Sequence, residues 1–166
     1  MGRLLMFKKN NEVEDMPSIF DVAEAFLWHE SMSHKKLQKL CYYAQAWHCA
    51  LYYGKPMFTD DDFEAWVHGP VSPRLYNKYR DYGWIHIESP KEYPENIDED
   101  NKALISEIFR IYGGLTGDQL EALTHSEDPW KEKRAGLKEW QPSTRIISTD
   151  SMRDYYLAEY QRSQND

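Results

Sequence analysis

Two stretches of this chain bring imidazole and carboxylate groups close together, the raw material of general acid–base chemistry. In the first, Glu64, Trp66 and His68 recur at every second residue, the period of an extended strand, so all three are expected on one face. In the second, Thr124-His125-Ser126-Glu127-Asp128-Pro129-Trp130 crowds hydroxyls, an imidazole and two carboxylates between two short predicted helices. Each stretch also has a purely structural reading. One face of a strand is ordinarily solvated, and caps, a proline start and an aromatic anchor are what a helix junction needs. A protein-contact surface is favoured over catalysis for the first stretch, because Trp is an enriched anchor at interfaces.

The other reactive groups are scattered. Cys41 and His48 fall on one predicted helix, about 10 Å apart along its axis, so they cannot form a nucleophile and base pair. His48 sits within an apolar stripe and reads as a core histidine whose ring nitrogens find partners, and Cys41 as a small buried apolar residue. Cys49 lies about 12 Å from Cys41 along the same axis, too far for a disulfide, so both should be free thiols. The six histidines and two cysteines never fall into a HExxH or CxxC pattern, and a P-loop, a GxGxxG turn and a GxSxG elbow are all absent from the sequence. No catalytic residue, cofactor or metal ligand is assigned, and the chain is expected not to be an enzyme.

The elements that must position these groups follow from periodicity and punctuation. Leu37, Leu40, Cys41, Ala44, Trp47, His48 and Leu51 form a stripe roughly 120° wide on a helix capped by Ser33 and stopped by Gly54. Before it, Ser18 and Asp21 make a capping box for a helix carrying Ile19, Val22, Ala23 and Phe26. Phe63, Ala65 and Val67 alternate with the first stretch above and predict a strand, with Trp84-Ile85-His86-Ile87 as its hairpin partner. Ser72-Pro73 opens a helix that ends at Gly83, and Asp98 precedes one with Leu104, Ile105, Ile108, Ile111 and Tyr112 on its inner side. Thr116 and Gln119 form a second capping box, stapled by Leu115 and Leu120. Asp128 is the expected cap of a brief helix carrying Trp130. Ile146-Ile147 suggests a strand, and Ser148 or Thr149 the cap of a last helix with Met152, Tyr155 and Tyr156 inward. The fold class is mainly α (α+β), a compact helical domain with a small antiparallel sheet or hairpin. It is expected over residues 18–160, between an arm at 1–17, with at most a short strand at residues 4–7, and a tail at 161–166.

Composition narrows the partners. A chain of 166 residues with six Trp and twelve Tyr has ample material for one core. The net charge of −8 argues against a nucleic-acid binder and favours a basic protein partner, although Lys35, Lys36 and Lys39 could form a local basic patch. No apolar run approaches the length of a membrane span and no export segment is evident, so the expected compartment is the cytoplasm.

Residues from Ile19 to about Tyr156 resemble the SocA-like antitoxin family, also called the Panacea domain. The resemblance is carried by Ile19-Phe20-Asp21-Val22-Ala23, by Lys36-Leu37-Gln38-Lys39-Leu40 with Tyr43-Ala44-Gln45-Ala46-Trp47-His48, by Glu64-Ala65-Trp66 leading into Gly69-Pro70-Val71, and by Leu123-Thr124-His125 with Pro129-Trp130. It implies a mostly helical cytoplasmic domain of bacteria, their prophages and plasmids, which neutralises a cognate toxin by binding it. In one branch the antitoxin resembles a proteolytic adaptor that hands the toxin to an AAA+ protease. The expected partner-binding surface comprises Glu64, Trp66, His68, Gly69, Pro70, Val71, Arg74, His125 and Trp130. The rival readings are a small enzyme using His125 with Glu127 or Glu64 with His68, and a phage-borne interaction protein that counters a host defence.

Overall fold

The computed structural model describes residues 16–165, so the strand expected at residues 4–7 lies outside the described residues. In chain order the elements are α1 (Ile19–His29), α2 (His34–Leu51), β1 (Phe63–Trp66), β2 (Gly69–Val71), α3 (Pro73–Tyr79) continued by a 3-10 turn at Arg80–Tyr82, α4 (Glu99–Tyr112), α5 (Gly117–His125), α6 (Asp128–Lys133), β3 (Ile146–Ile147) and α7 (Thr149–Gln164). The molecule is mainly helical with one small antiparallel sheet.

α2 is its axis. The stripe in its sequence predicts one buried face, yet every residue from 37 to 51 is buried, because α1, α4, α5, α7 and the hairpin surround it. Residues that would suit a solvated face find polar partners inside instead. Gln45 Nε2 donates to Phe58 O at 2.8 Å while its Oε1 accepts from Met57 N at 2.7 Å, so the side chain pairs with a neighbouring backbone as a strand would. His48 is buried with Nδ1 2.5 Å from Lys55 O, in the core as its stripe implies. Both cysteines are free and buried.

The capping boxes form as their spacing dictates. Ser18 Oγ accepts from Asp21 N and Asp21 Oδ2 from Ser18 N, and Thr116 and Gln119 repeat the exchange ahead of α5. α6 departs from expectation. Asp128 is its first helical residue rather than its cap, and Glu127 in the cap position makes no capping bond. The Glu127 carboxylate is turned into the core instead, where it accepts from Tyr43 Oη at 2.7 Å and Tyr156 Oη at 2.9 Å. Burial pushes its carboxyl up to about 7, against the two phenol hydrogen bonds.

The sheet order is β2-β1-β3, with Glu64 opposite both Val71 and Ile146. This corrects the expected hairpin. The chain reverses at Val67-His68, which therefore leave the strand, and β1 pairs with Gly69–Val71 rather than with residues 84–87. A two-residue loop closes with far less entropy loss than the long connection to residue 84. Trp84 and Ile85 stay exposed, and Ile87 makes only a single bridge to Met32. Pro70 is tolerated because β2 is an edge strand. Among the described residues no helix is long and apolar enough to cross a membrane.

Candidate protein-contact site

The hairpin is seated on polar side chains of α2. Gln38 Nε2 donates to Ser72 O at 3.0 Å and its Oε1 accepts from Ser72 N at 2.9 Å, closing the end of β2. One residue on, Lys39 is only 1% exposed and its Nζ donates to Pro70 O at 3.3 Å. Burial holds this ammonium well below the usual lysine range, at about 7; the Lys35 charge lowers it further and Glu121 opposes the shift. Gly69 fits closely above: a Cβ there would lie 2.7 Å from Lys39 Cε and 3.1 Å from Thr124 Oγ1, and its φ of +111° is glycine territory. The expected basic patch is therefore dismantled. Lys39 is buried, Lys36 Nζ donates to Gly113 O at 2.6 Å, and Lys35 is paired with Asp118 and Glu121 at 2.5 and 3.1 Å.

α6 and the turn after it hold β1 from the other side. Trp130 Nε1 donates to Trp66 O at 2.8 Å, and the Trp130 ring stacks on His125 at 3.8 Å between centroids. His125 Nε2 is buried with no hydrogen-bond partner among the described residues, and burial lowers the pKa of its ring. Buried Arg134 donates through Nη1 to Ala65 O at 3.0 Å and through Nη2 to Lys138 O and Gln141 O at 3.0 and 2.7 Å. It thus ties β1 to the loop that leads into β3. Nothing local in the sequence marks Arg134, since its acceptors are backbone carbonyls.

The outer sheet face is built differently. Residues directly opposite share a face, so Val71, Glu64 and Ile146 stand side by side there with Trp66 next along β1. Trp66 Nε1 donates to Glu64 Oε1 at 2.9 Å, and the indole meets Tyr76 edge-on at 5.0 Å. A cleft of about 320 Å³ opens here, lined by Trp66, Val67, His68 and Val71 on one wall and by Pro142, Ser143 and Thr144 on the other. Of the residues singled out from sequence, Trp66, His68 and Val71 border the cleft and Glu64 adjoins it through the indole. Gly69 and Pro70 are buried beneath it, and His125 and Trp130 buttress it. Arg74 bonds Asp60 O at 2.8 Å and lies 5.1 Å over the Phe20 ring. The second wall escaped sequence reasoning because it comes from a loop far along the chain.

Neither imidazole–carboxylate combination is assembled. His68 Nδ1 lies 2.8 Å from Glu121 Oε1 while Glu64 bonds the indole, and Glu127 faces the core phenols while His125 stacks on Trp130. Among the described residues no group of three or more His, Cys, Asp or Glu is placed to hold a metal ion. A second cleft, about 490 Å³, lies along α6 and α7 and includes Asp128, Glu132, Asp154, Tyr155 and Arg162.

The family model described as antitoxin SocA-like, Panacea domain, matches residues 37–131, more than half of the chain. That span runs from α2 to α6 and takes in the hairpin, its seat and its buttress. No curated protein and no solved structure matches the chain.

Proposed function

Because this chain belongs to the SocA-like antitoxin family, Panacea domain, we propose that it neutralises a protein toxin in the bacterial cytoplasm by binding it directly, through the cleft beside Trp66. The observation that carries the choice of surface is a largely but not fully buried Trp bordering an apolar cleft while its own backbone carbonyl is fixed by Trp130. An aromatic side chain on a backbone that does not have to be ordered loses little entropy when a partner docks, which is what an anchor requires. Neutralisation is stoichiometric on this reading. Delivery of the toxin to an AAA+ protease is its variant, and both begin with the same docking event. The separated His and Glu side chains favour binding over catalysis as the activity.

The test is growth rescue in cells that co-express a toxic open reading frame adjacent to this gene. Trp66→Ala should weaken binding by at least about 2 kcal/mol, roughly thirtyfold, and rescue should fail while circular dichroism still reports a folded protein. A folded Trp66→Ala variant that rescues and binds like its parent removes the cleft as the docking site.

A further inference from the structure

Granting that the cleft docks a protein, we infer that its occupant is a basic and apolar segment: an apolar side chain fills the cleft, and a Lys or Arg of the same segment lies on Glu64. Glu64 stands between Val71 and Ile146, the latter 50% exposed, so a carboxylate is presented amid apolar side chains. Its hydrogen bond comes from Trp66 Nε1, a neutral donor, and among the described residues neither Glu64 nor its neighbour Asp62 forms an ion pair. The preceding carboxylates are engaged within the fold. Asp60 accepts from Ile19 N and from Arg74, and Asp61 from Ser72 Oγ and Arg74 N.

Uncompensated negative charge beside an apolar cleft, in a chain of net charge −8, attracts a cationic flank and repels an acidic one. The spacing is also defined. Glu64 and Trp66 are two residues apart on one strand, about 7 Å, a span matched by side chains at i and i+2 of an extended partner segment. Desolvation of Glu64 by the incoming chain would leave a buried charge unless that chain brought its own cation, so the apolar and basic elements must arrive together.

Three fluorescein-labelled pentapeptides, each placing its two test residues at i and i+2 with serine between, test this on the full-length protein by anisotropy: one pairs lysine with leucine, one glutamate with leucine, one lysine with serine. Only the lysine–leucine peptide should bind saturably, with Kd below about 1 mM. Its affinity should fall about tenfold on Glu64→Gln and again as salt is raised from about 50 to about 500 mM. Asp150→Asn, on α7, should leave it unchanged. Equal binding of the glutamate–leucine peptide, no saturable binding of the lysine–leucine peptide, no effect of Glu64→Gln, or an equal effect of Asp150→Asn each overturns the inference, the last by showing diffuse charge attraction. The two readings fail separately. Rescue that survives Trp66→Ala removes the cleft as the toxin site, whereas rescue that depends on Trp66 with no preference among the peptides removes only the basic and apolar occupant.

Discussion

β1 is four residues long, and its two faces have opposite fates. Phe63 and Ala65 point inward and are sealed, with Phe63 edge-on to Tyr42 at 5.5 Å. Glu64 and Trp66 point outward, their side chains bonded to each other at the border of an open cleft. The contrast is not one of simple polarity. Behind the hairpin lie a lysine, a glutamine and an arginine, all buried, while the outer face carries Trp66 and the half-exposed Ile146 beside a buried Val71. Burial of those polar groups is tolerable because each donates to a definite carbonyl, of Pro70, Ser72 or Ala65. The consequence is a backbone fixed from below, which holds the outer side chains in place before any partner arrives. If the cleft is the docking site proposed above, stability resides in the inner face and recognition in the outer, so substitutions should separate the two.

The largest effect is expected from Phe63→Ala. Removing a buried ring from between Tyr42, Phe58 and Ile147 leaves a cavity, and stability should fall by about 3–5 kcal/mol in denaturant unfolding. Toxin binding should decline only as far as the unfolded fraction rises. A Phe63→Ala protein that stays stable yet fails to bind would break the division between the faces.

Lys39 sharpens the comparison through pH. In the fold its amine releases the proton at about 7, in the unfolded chain at about 10.5. Between those values the unfolded state binds more protons, so stability rises with pH; below about 7 both states are protonated and the penalty is complete. Other groups bound the usable window. Glu127, raised to about 7, makes stability fall as pH climbs from about 4.5, and the buried Cys41 and Cys49 thiols, pushed up by burial, do the same above about 9. From pH about 7 to 8.5 the parent should therefore gain about 1 kcal/mol, less than the full rate of about 1.4 kcal/mol per unit because Lys39 and Glu127 are both half-titrated at about 7, and Lys39→Met should show no rise across that window. A variant that keeps the parent's slope would mean that Lys39 is not the buried titrating group.

How much of this was legible in the sequence depends on how far apart the interacting residues lie. The Ser18–Asp21 and Thr116–Gln119 exchanges span three residues, and their residue types alone specify them. The apolar stripe of α2 likewise located the helix and the burial of His48. The burial of Gln38, Lys39 and Gln45, which lie outside that stripe, was not legible because their partners, the backbones of residues 57–58 and 70–72, come later in the chain. Alternation at Phe63, Ala65 and Val67 carried the strand two residues too far, since Val67 is apolar even though it sits in the turn. Trp66 was readable as a candidate anchor from its period-2 neighbours. The facing wall at Pro142, Ser143 and Thr144 has no signature, being ordinary loop residues brought there by Arg134 and the β1–β3 pairing.

The smallest expected effect belongs to His68, which lies where the two faces meet. Its side chain is 74% exposed and its one ion-pair partner, Glu121, is also 3.1 Å from Lys35, so removing the imidazole leaves that carboxylate with a cation. Exposed pairs of this kind contribute little, and His68→Ala should change stability by no more than about 0.5 kcal/mol. If the toxin docks in the cleft, His68 is a rim residue, where side chains exclude water and tune association rather than supply the anchoring energy. Calorimetry should show at most about a threefold loss of affinity, against roughly thirtyfold for Trp66→Ala. A His68→Ala loss as large as that of Trp66→Ala would make the imidazole an anchor in its own right. The recognition surface would then centre on the Val67-His68 turn, and the division between the faces of β1 would account for stability alone.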